Sequence, residues 1–288
     1  MAKTISDLQT LLANRLGSST APTDTNELAK RRRWYWEAIS LICSDEPMWF
    51  MKTYATDTAV NYVASYAEPT RFRHMIEVKV DGNIYVPTTK ADFDAKKQTA
   101  IVSLPSVSLQ NEYYHYDGRL YFFPQLTAPT AVSVSSITQS GGTATVTTAS
   151  AHGFNAGQYV TIAGADQSGY NGAVQIVSVP STTTFTYAVD SGTVSPATGT
   201  ITATLKNIEY WFWQEATEPT GESSSIIIPD KYANVPVAYA EGRYWSTAHK
   251  RGKAADGFTE FETGINAIKR ENFRRKFGNN EEANFYPR

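Results

Sequence analysis

Residues 124–205 contain neither lysine nor arginine, and Thr, Ser, Val and Gly dominate the stretch. With so few charges, this segment has to stay soluble through hydroxyls and amides. Its composition sets it apart from the sequence on either side, which is the mark of an inserted domain. Two short aromatic runs flank it, Leu120-Tyr121-Phe122-Phe123-Pro124 and Ile208-Glu209-Tyr210-Trp211-Phe212-Trp213. Both read as strands, and they read best as the two arms of one hairpin from which the insertion projects.

Inside the insertion, short β-branched runs at 131–134, 143–147, 159–162, 173–177, 184–187 and 199–203 alternate with glycine-bearing turns. Their spacing of about 8–12 residues is that of an all-β sandwich. The surrounding body opens with a helix. Thr4 or Ser6 can cap it, Ile5, Leu8, Leu12 and Leu16 mark its buried stripe, and Gly17 ends it. Thr25 or Asn26 caps a second helix to about Cys43, with Leu28, Tyr35, Ala38, Ile39 and Ile42 on its apolar face.

Trp49-Phe50-Met51 and residues 58–63 read as extended, and residues 75–80 alternate with a period of two. Asp81-Gly82 and Asp117-Gly118 accept the positive φ that tight hairpin turns need. A short charged helix spans 90–97. Ile226-Ile227-Ile228 reads as a strand stopped by Pro229, followed by a helical stretch through Trp245. After a break at Lys250-Arg251-Gly252, a longer helix starts at Asp256. Phe258, Phe261, Ile265 and Ile268 form its packed stripe, and Gly278-Asn279-Asn280 ends it.

The expected fold class is therefore α+β: a helical bundle with small β-hairpins or sheet, carrying an inserted all-β sandwich. The expected domains are a discontinuous body of residues 1–127 and 205–288, with a tail at 278–288, and an insertion of residues 128–204.

Charge and chemistry narrow the function classes. The formal net charge of -2 gives no case for a nucleic-acid or anionic-membrane binder as a whole. No apolar run approaches the ~20 residues that span a bilayer, and the start of the chain leads into an amphipathic helix, so assembly in a cytoplasm is expected. The single cysteine, Cys43, excludes an internal disulfide and a cysteine-cluster zinc site, and reads as a buried structural thiol. His74, His115, His152 and His249 lie in unrelated segments without metal-ligand spacing. No nucleophile elbow, phosphate loop or dinucleotide fingerprint occurs. Glu260 and Glu262 are two apart on a helix and face different ways. No enzyme activity, cofactor or metal is expected.

Two basic clusters are candidate faces. Arg31-Arg32-Arg33, beside Trp34 and Trp36, reads either as a phosphate or acidic-partner patch or as a solvated face; three adjacent helical residues spread over roughly 200° and cannot all meet one ligand. Lys269, Arg270, Arg274, Arg275 and Lys276 form a possible face for DNA or an acidic partner, partly offset by Glu260, Glu262 and Glu271.

Two resemblances add to this reading. His152-Gly153-Phe154, Gly157, Val160-Thr161-Ile162 and Tyr170-Asn171-Gly172 resemble the immunoglobulin-like modules inserted in bacteriophage structural proteins. Across residues 53–277, with the insertion lifted out, the order of "YVASYAEPTRFRHMIEVKVDGNIYVP", "YYHYDGRLYFFP", "IEYWFWQEATEP" and "SIIIPDKYANVPVAYAEGRYW" resembles the phage head-to-tail adaptor family. That resemblance implies a ring beneath the portal protein, twelvefold, sited in the virion neck and letting DNA pass. Its partners would be the portal, a neck or tail completion protein and transiently DNA. It also implies a C-terminal tail, here Phe285, Tyr286 and Arg288, that grips the portal. The insertion departs from compact adaptors. Two rival readings are a tail or baseplate component whose sandwich binds host glycans, and a secreted carbohydrate-active enzyme.

Overall fold

A computed structural model describes residues 3–18, 20–101 and 110–277. In chain order the helices are α1 (Ile5–Arg15), α2 (Thr25–Ser44), α3 (Lys90–Ile101), α4 (Asn234–Thr247) and α5 (Arg251–Phe277). The strands outside the insertion are β1 (Lys52–Asp57), β2 (Tyr66–Ala67), β3 (Phe72–Val80), β4 (Asn83–Pro87), β5 (Glu112–Tyr116), β6 (Arg119–Phe123) and β13 (Ile208–Gln214). Those inside it are β7 (Val132–Ser140), β8 (Thr143–Thr148), β9 (Tyr159–Ala165), β10 (Gly172–Ser181), β11 (Thr184–Ala188) and β12 (Gly199–Leu205). The chain divides into two compact units. The described residues of Met1–Thr53, Thr70–His74 and Trp213–Arg288 form the first, and Tyr54–Pro69 with Met75–Phe212 form the second.

The first unit is built on α1, α2, α4 and α5. Thr4 caps α1 with a reciprocal box: its hydroxyl accepts from Asp7 N–H, and the Asp7 carboxylate accepts from Thr4 N–H at 2.7 Å. The Thr4 N–H, and the Thr4 hydroxyl that also donates to it at 2.9 Å, hold the Asp7 carboxyl below its ordinary range. Asp24 caps α2, accepting from Glu27 N–H at 2.8 Å, one residue ahead of the expected Thr25 or Asn26. At the other end of α2, the Arg73 guanidinium donates to the carbonyls of Cys43 and Ser44, which the helix itself leaves unpaired. The break between α4 and α5 falls at Ala248–Lys250, with His249 at φ 56, so Lys250-Arg251-Gly252 leads into the last helix instead of ending the one before. Glycines let α4 and α5 approach closely: a Cβ on Gly257 would stand 2.7 Å from Gly242 N and 2.9 Å from Ala238 O. The buried core joins Leu8, Leu12, Tyr35, Ile39, Val237 and Phe261. Ile226 and Ile228 are buried, but the expected strand is absent: they lie in irregular chain fixed by Ile226 N–H to Lys3 O.

The second unit carries most of the β structure, and here the fold class departs from expectation. The body is not a helical bundle with small hairpins. It contains a seven-stranded mixed sheet, ordered β1-β13-β3-β4-β5-β6-β2. Its two tight hairpins are those expected: Asp81 and Gly82 at φ 50 and 78 join β3 to β4, and Asp117 and Gly118 at φ 51 and 67 join β5 to β6. The strands β4 and β5 are parallel, with Val86 opposite Glu112. Phe122 meets the rings of Tyr66, Tyr85 and Tyr113 on one face. On the other, Phe93 of α3 packs on Tyr114 and Phe123, and Tyr121 stacks on Tyr114. Trp49–Met51 forms a 3-10 turn, and residues 58–63 are loop, with Tyr62 at φ 63.

The two strands that flank the insertion are not a hairpin. Three strands, β3, β4 and β5, lie between β13 and β6 in the sheet. Alternating aromatic strands in sequence carry no information about who pairs with whom, and a seven-stranded sheet offers several solutions.

The insertion is likewise a closed barrel, ordered β10-β11-β8-β7-β12-β9, and not an immunoglobulin-like sandwich. All six strands fall where the sequence places them. Closure comes from β7 and β10, which change partners along their length. Residues 132–133 of β7 pair with β12 and 134–140 with β8, with a register shift between Val134 and Ser136. Residues 172–175 of β10 pair with β9 and the rest with β11, again with register shifts. Such irregularities bend a strand so that it serves both walls. Ile137, Val146, Ile162, Tyr170, Phe185 and Tyr187 fill the interior. A sandwich and a small barrel share the same one-sided apolar alternation, so the pattern alone does not separate them.

Candidate functional site

The first basic cluster resolves into three different environments. Arg31 is buried; its Nε donates to Glu27 at 3.1 Å and its guanidinium lies 5.9 Å from the Tyr244 ring centre. Arg32 is half-buried and pairs with Glu222 at 3.1 Å. Arg33 is 80% exposed, with Glu37 at 3.7 Å. The 100° step of the helix therefore turns Arg31 inward and leaves Arg32 and Arg33 outside. Trp34 belongs to the core, whereas Trp36 is half-buried.

These outer residues border an open cavity of about 710 Å³ between α2 and residues 218–220. Arg32, Arg33, Trp36 and Glu37 form one wall, and Glu218 and Pro219 stand on the other. The second wall is held firmly by its flanks. Ile5 N–H donates to Ser224 O and Ser6 N–H to Glu222 O, so the start of α1 clamps the segment after the cavity. Before it, Arg71 donates to Thr217 Oγ1 at 2.7 Å and to Gln214. Glu37 is shared: besides Arg33 it faces Arg243 at 3.5 Å and accepts from Tyr239 Oη at 3.3 Å. Burial, with Glu37 adding to it, raises the Tyr239 phenol above its ordinary range. Nothing in the sequence placed Glu218 and Pro219 opposite Arg32 and Arg33; the signal lies in long-range contacts.

The second cluster lies along α5 and is partly turned toward the chain's own acids. Lys269 pairs with Asp45 at 2.6 Å and, through that hydrogen bond, holds the Asp45 carboxyl below its usual range. Arg275 pairs with Glu271 at 2.7 Å and covers the Trp49 ring at 4.9 Å from its centre. Arg270 donates to Asn266 O within the helix, while Arg274 and Lys276 are exposed. Glu271 also accepts from Lys231 and from Tyr232 Oη, and these donors lower its carboxyl to about 2. The pairing of Glu271 with Arg275 is legible as an i,i+4 spacing, but its partners on 231–232 are not.

Phe285, Tyr286 and Arg288 lie outside the described residues. The four histidines stand apart. His74 and His249 are exposed, and His115 pairs with Glu68 at 2.8 Å. His152 is buried in the barrel, its Nδ1 accepting from Phe154 N–H at 2.9 Å. Among the described residues no group of three or more His, Cys, Asp or Glu is placed to hold a metal, and no helix is long and apolar enough to cross a membrane. Burial pushes the Cys43 thiol up to about 12.

No family model matches this chain, and no curated protein does. Part of the chain is similar to a solved structure, a phage phi92 endosialidase, at 20% identity over 30% of this chain and 13% of that one, with a TM-score of 0.22. At that score and coverage, the likeness bears no argument about fold or activity.

Proposed function

We propose that this chain is a structural protein of a bacteriophage virion, and within that class a connector whose copies pack into a ring between the portal vertex and the neck. Support comes from the contrast between its two β structures. Among the described residues the seven-stranded sheet is open, ending in β1 and β2, each with a neighbouring strand on one side only. An open edge is a template for pairing with another chain. β2 has only two residues, so the six-residue β1 offers the longer edge. The barrel has no edge at all. The body is thus the part suited to join copies, and the barrel the part suited to remain separate at high local concentration.

Register adds a second surface. Ile84, Val86 and Tyr116 share one sheet face and are exposed, an apolar set of the kind that interfaces cover. In this reading twelve copies surround a channel, the exposed Arg270 and Arg274 are candidates to face passing DNA, and the portal and a neck or tail completion protein cover the two rims. Negative-stain electron microscopy of the purified chain, alone and mixed with portal-bearing capsids, tests it. A ring at the portal vertex is expected. A bare vertex beside free monomers would overturn the connector reading in favour of a tail or baseplate role with glycan binding by the barrel.

A further inference from the structure

The cavity on α2 follows from the phase of the helix. Ala29, Arg33 and Trp36 succeed one another at spacings of four and three, so they share one face, and Ala29 adds no bulk to it. Glu218, Pro219 and Thr220 stand across from them, on a segment held at its flanks by α1 and Arg71. Both walls are therefore in place before a ligand arrives, which lowers the cost of binding one. The lining groups differ in chemistry. Trp36 is half-buried, so part of its indole meets solvent, and Pro219 adds a second apolar surface. Arg32 is committed to Glu222 at 3.1 Å and serves as wall. Arg33 approaches Glu37 only to 3.7 Å, too long for a hydrogen bond, and among the described residues the side chains of Arg33, Glu218 and Thr220 and the Trp36 Nε1–H have no hydrogen-bond partner.

What the cavity offers is a balanced set: donors on Arg33 and Trp36, acceptors on Glu37 and Glu218, and a hydroxyl on Thr220 that does both. Its charged lining is balanced too, with Arg32 and Arg33 against Glu37 and Glu218. A phosphate or other anion would meet those two carboxylates as well as Arg33, and a purely apolar ligand would leave the donors and acceptors unpaired. A ring with hydroxyls at its edge and C–H groups on its face matches all of them. We infer that the cavity is a binding site for a neutral saccharide, whose pyranose face stacks on Trp36 while its hydroxyls donate to Glu218 and Glu37 and accept from Arg33 and Thr220. A volume of about 710 Å³ lies within the ~300–1,000 Å³ of small-molecule sites and holds a short oligosaccharide. Glycan recognition then belongs to the helical unit and not to the barrel. It is independent of the connector reading, since each copy in a ring can carry its own site.

The full chain on a printed glycan array tests this, with neutral oligosaccharides of glucose, galactose, mannose and N-acetylglucosamine beside sialylated and sulfated ones. Binding to neutral members is expected. Isothermal titration with the strongest of them should show affinity falling at least about tenfold in Trp36→Ala, and at least about threefold in Glu218→Ala and in Arg33→Ala. Glu218 and Arg33 are exposed, so those two variants keep the fold and carry the test should circular dichroism show that Trp36→Ala has lost it. Tyr62→Ala, which removes a 93% exposed ring from the second unit, should bind as the parent does. Absence of neutral binding, binding confined to acidic glycans, or neutral binding that the three cavity variants leave unchanged would overturn the assignment. None of these results alters whether a ring forms at the portal vertex, and a bare vertex does not alter them, so the two readings fail separately.

Discussion

Gly257→Ala is the sharpest test of how the helices of the first unit pack. The added Cβ would stand 2.7 Å from Gly242 N and 2.9 Å from both Ala238 O and Gly242 Cα, all backbone atoms that no rotamer change can move. Ordinary contact begins near 3.4 Å, so α4 and α5 must part by about 0.5–0.7 Å. Parting would also loosen the other close approaches on this seam, Phe258 against Gly242 and Val235 against Gly264. Overpacking of this kind costs ~1–3 kcal/mol. Alanine is the better helix former by ~1 kcal/mol, which offsets part of that. The expected net loss is about 0–2 kcal/mol, a fall of up to roughly 8 °C in the midpoint of the helical unit. Gly252→Ala is the control: nothing lies within 4 Å of its Cβ, and the same chemical change should stabilise by up to ~1 kcal/mol. Thermal unfolding followed at 222 nm compares the two. A Gly257→Ala chain stabilised as much as the Gly252→Ala chain would mean that the helices do not meet through this glycine.

Four further expectations follow from the same structure. Cys43, buried with its thiol pushed up to about 12, should resist thiol reagents at pH 8 in the folded chain and react fully in denaturant; prompt native labelling would contradict its place in the core. Glu271 has a folded pKa near 2 against an ordinary value of 4.5, so the stability it contributes is complete above the ordinary value and disappears as pH falls through the lower one. Glu271→Gln should therefore destabilise the chain at pH 7 by urea titration, with the difference shrinking below pH 4.5 and gone near pH 2. The barrel should fold when residues 129–206 are expressed alone, giving a cooperative melt with a β spectrum. Joining Phe123 to Ile208 with Asn-Gly should unfold the sheet, because four strand spacings of ~4.8 Å exceed the reach of a two-residue turn. A ten-residue Gly/Ser link should preserve it.

What could be read in advance was local. The stripe Ile5, Leu8, Leu12 located α1, Asp-Gly pairs located both tight hairpins, and β-branched runs located all six barrel strands. Partnership was not legible. β6 and β13 each look like one arm of a hairpin, yet each pairs elsewhere, since the period-2 pattern reports which face is buried and not which strand lies alongside. The same limit turned an expected sandwich into a barrel: the decisive events are register shifts near Ser136, where no glycine or proline marks a bend, and around Ser178, where Pro180 of β10 lies inside the shift but does not by itself say that the strand changes partners. For the candidate groove, the arginines and Trp36 were visible as a cluster. Their division into one inward and two outward side chains follows from helical phase, but the opposing Glu218 and Pro219 come from 180 residues further along the chain.

Because the barrel is entered from β6 and left through β13, it stands on two legs rooted four strand spacings apart in one sheet. A module on a hairpin can be peeled away one hydrogen bond at a time, as a zipper opens from its end. Here a pull on the barrel along the strands loads the ladders of β6 against β5 and β2, and of β13 against β1 and β3, in parallel, so that many bonds must fail together. The widely spaced footing also resists twisting about the pulling axis. Mechanically, the barrel is anchored like a bracket bolted at both ends, and a force applied to it is delivered to the sheet as a whole.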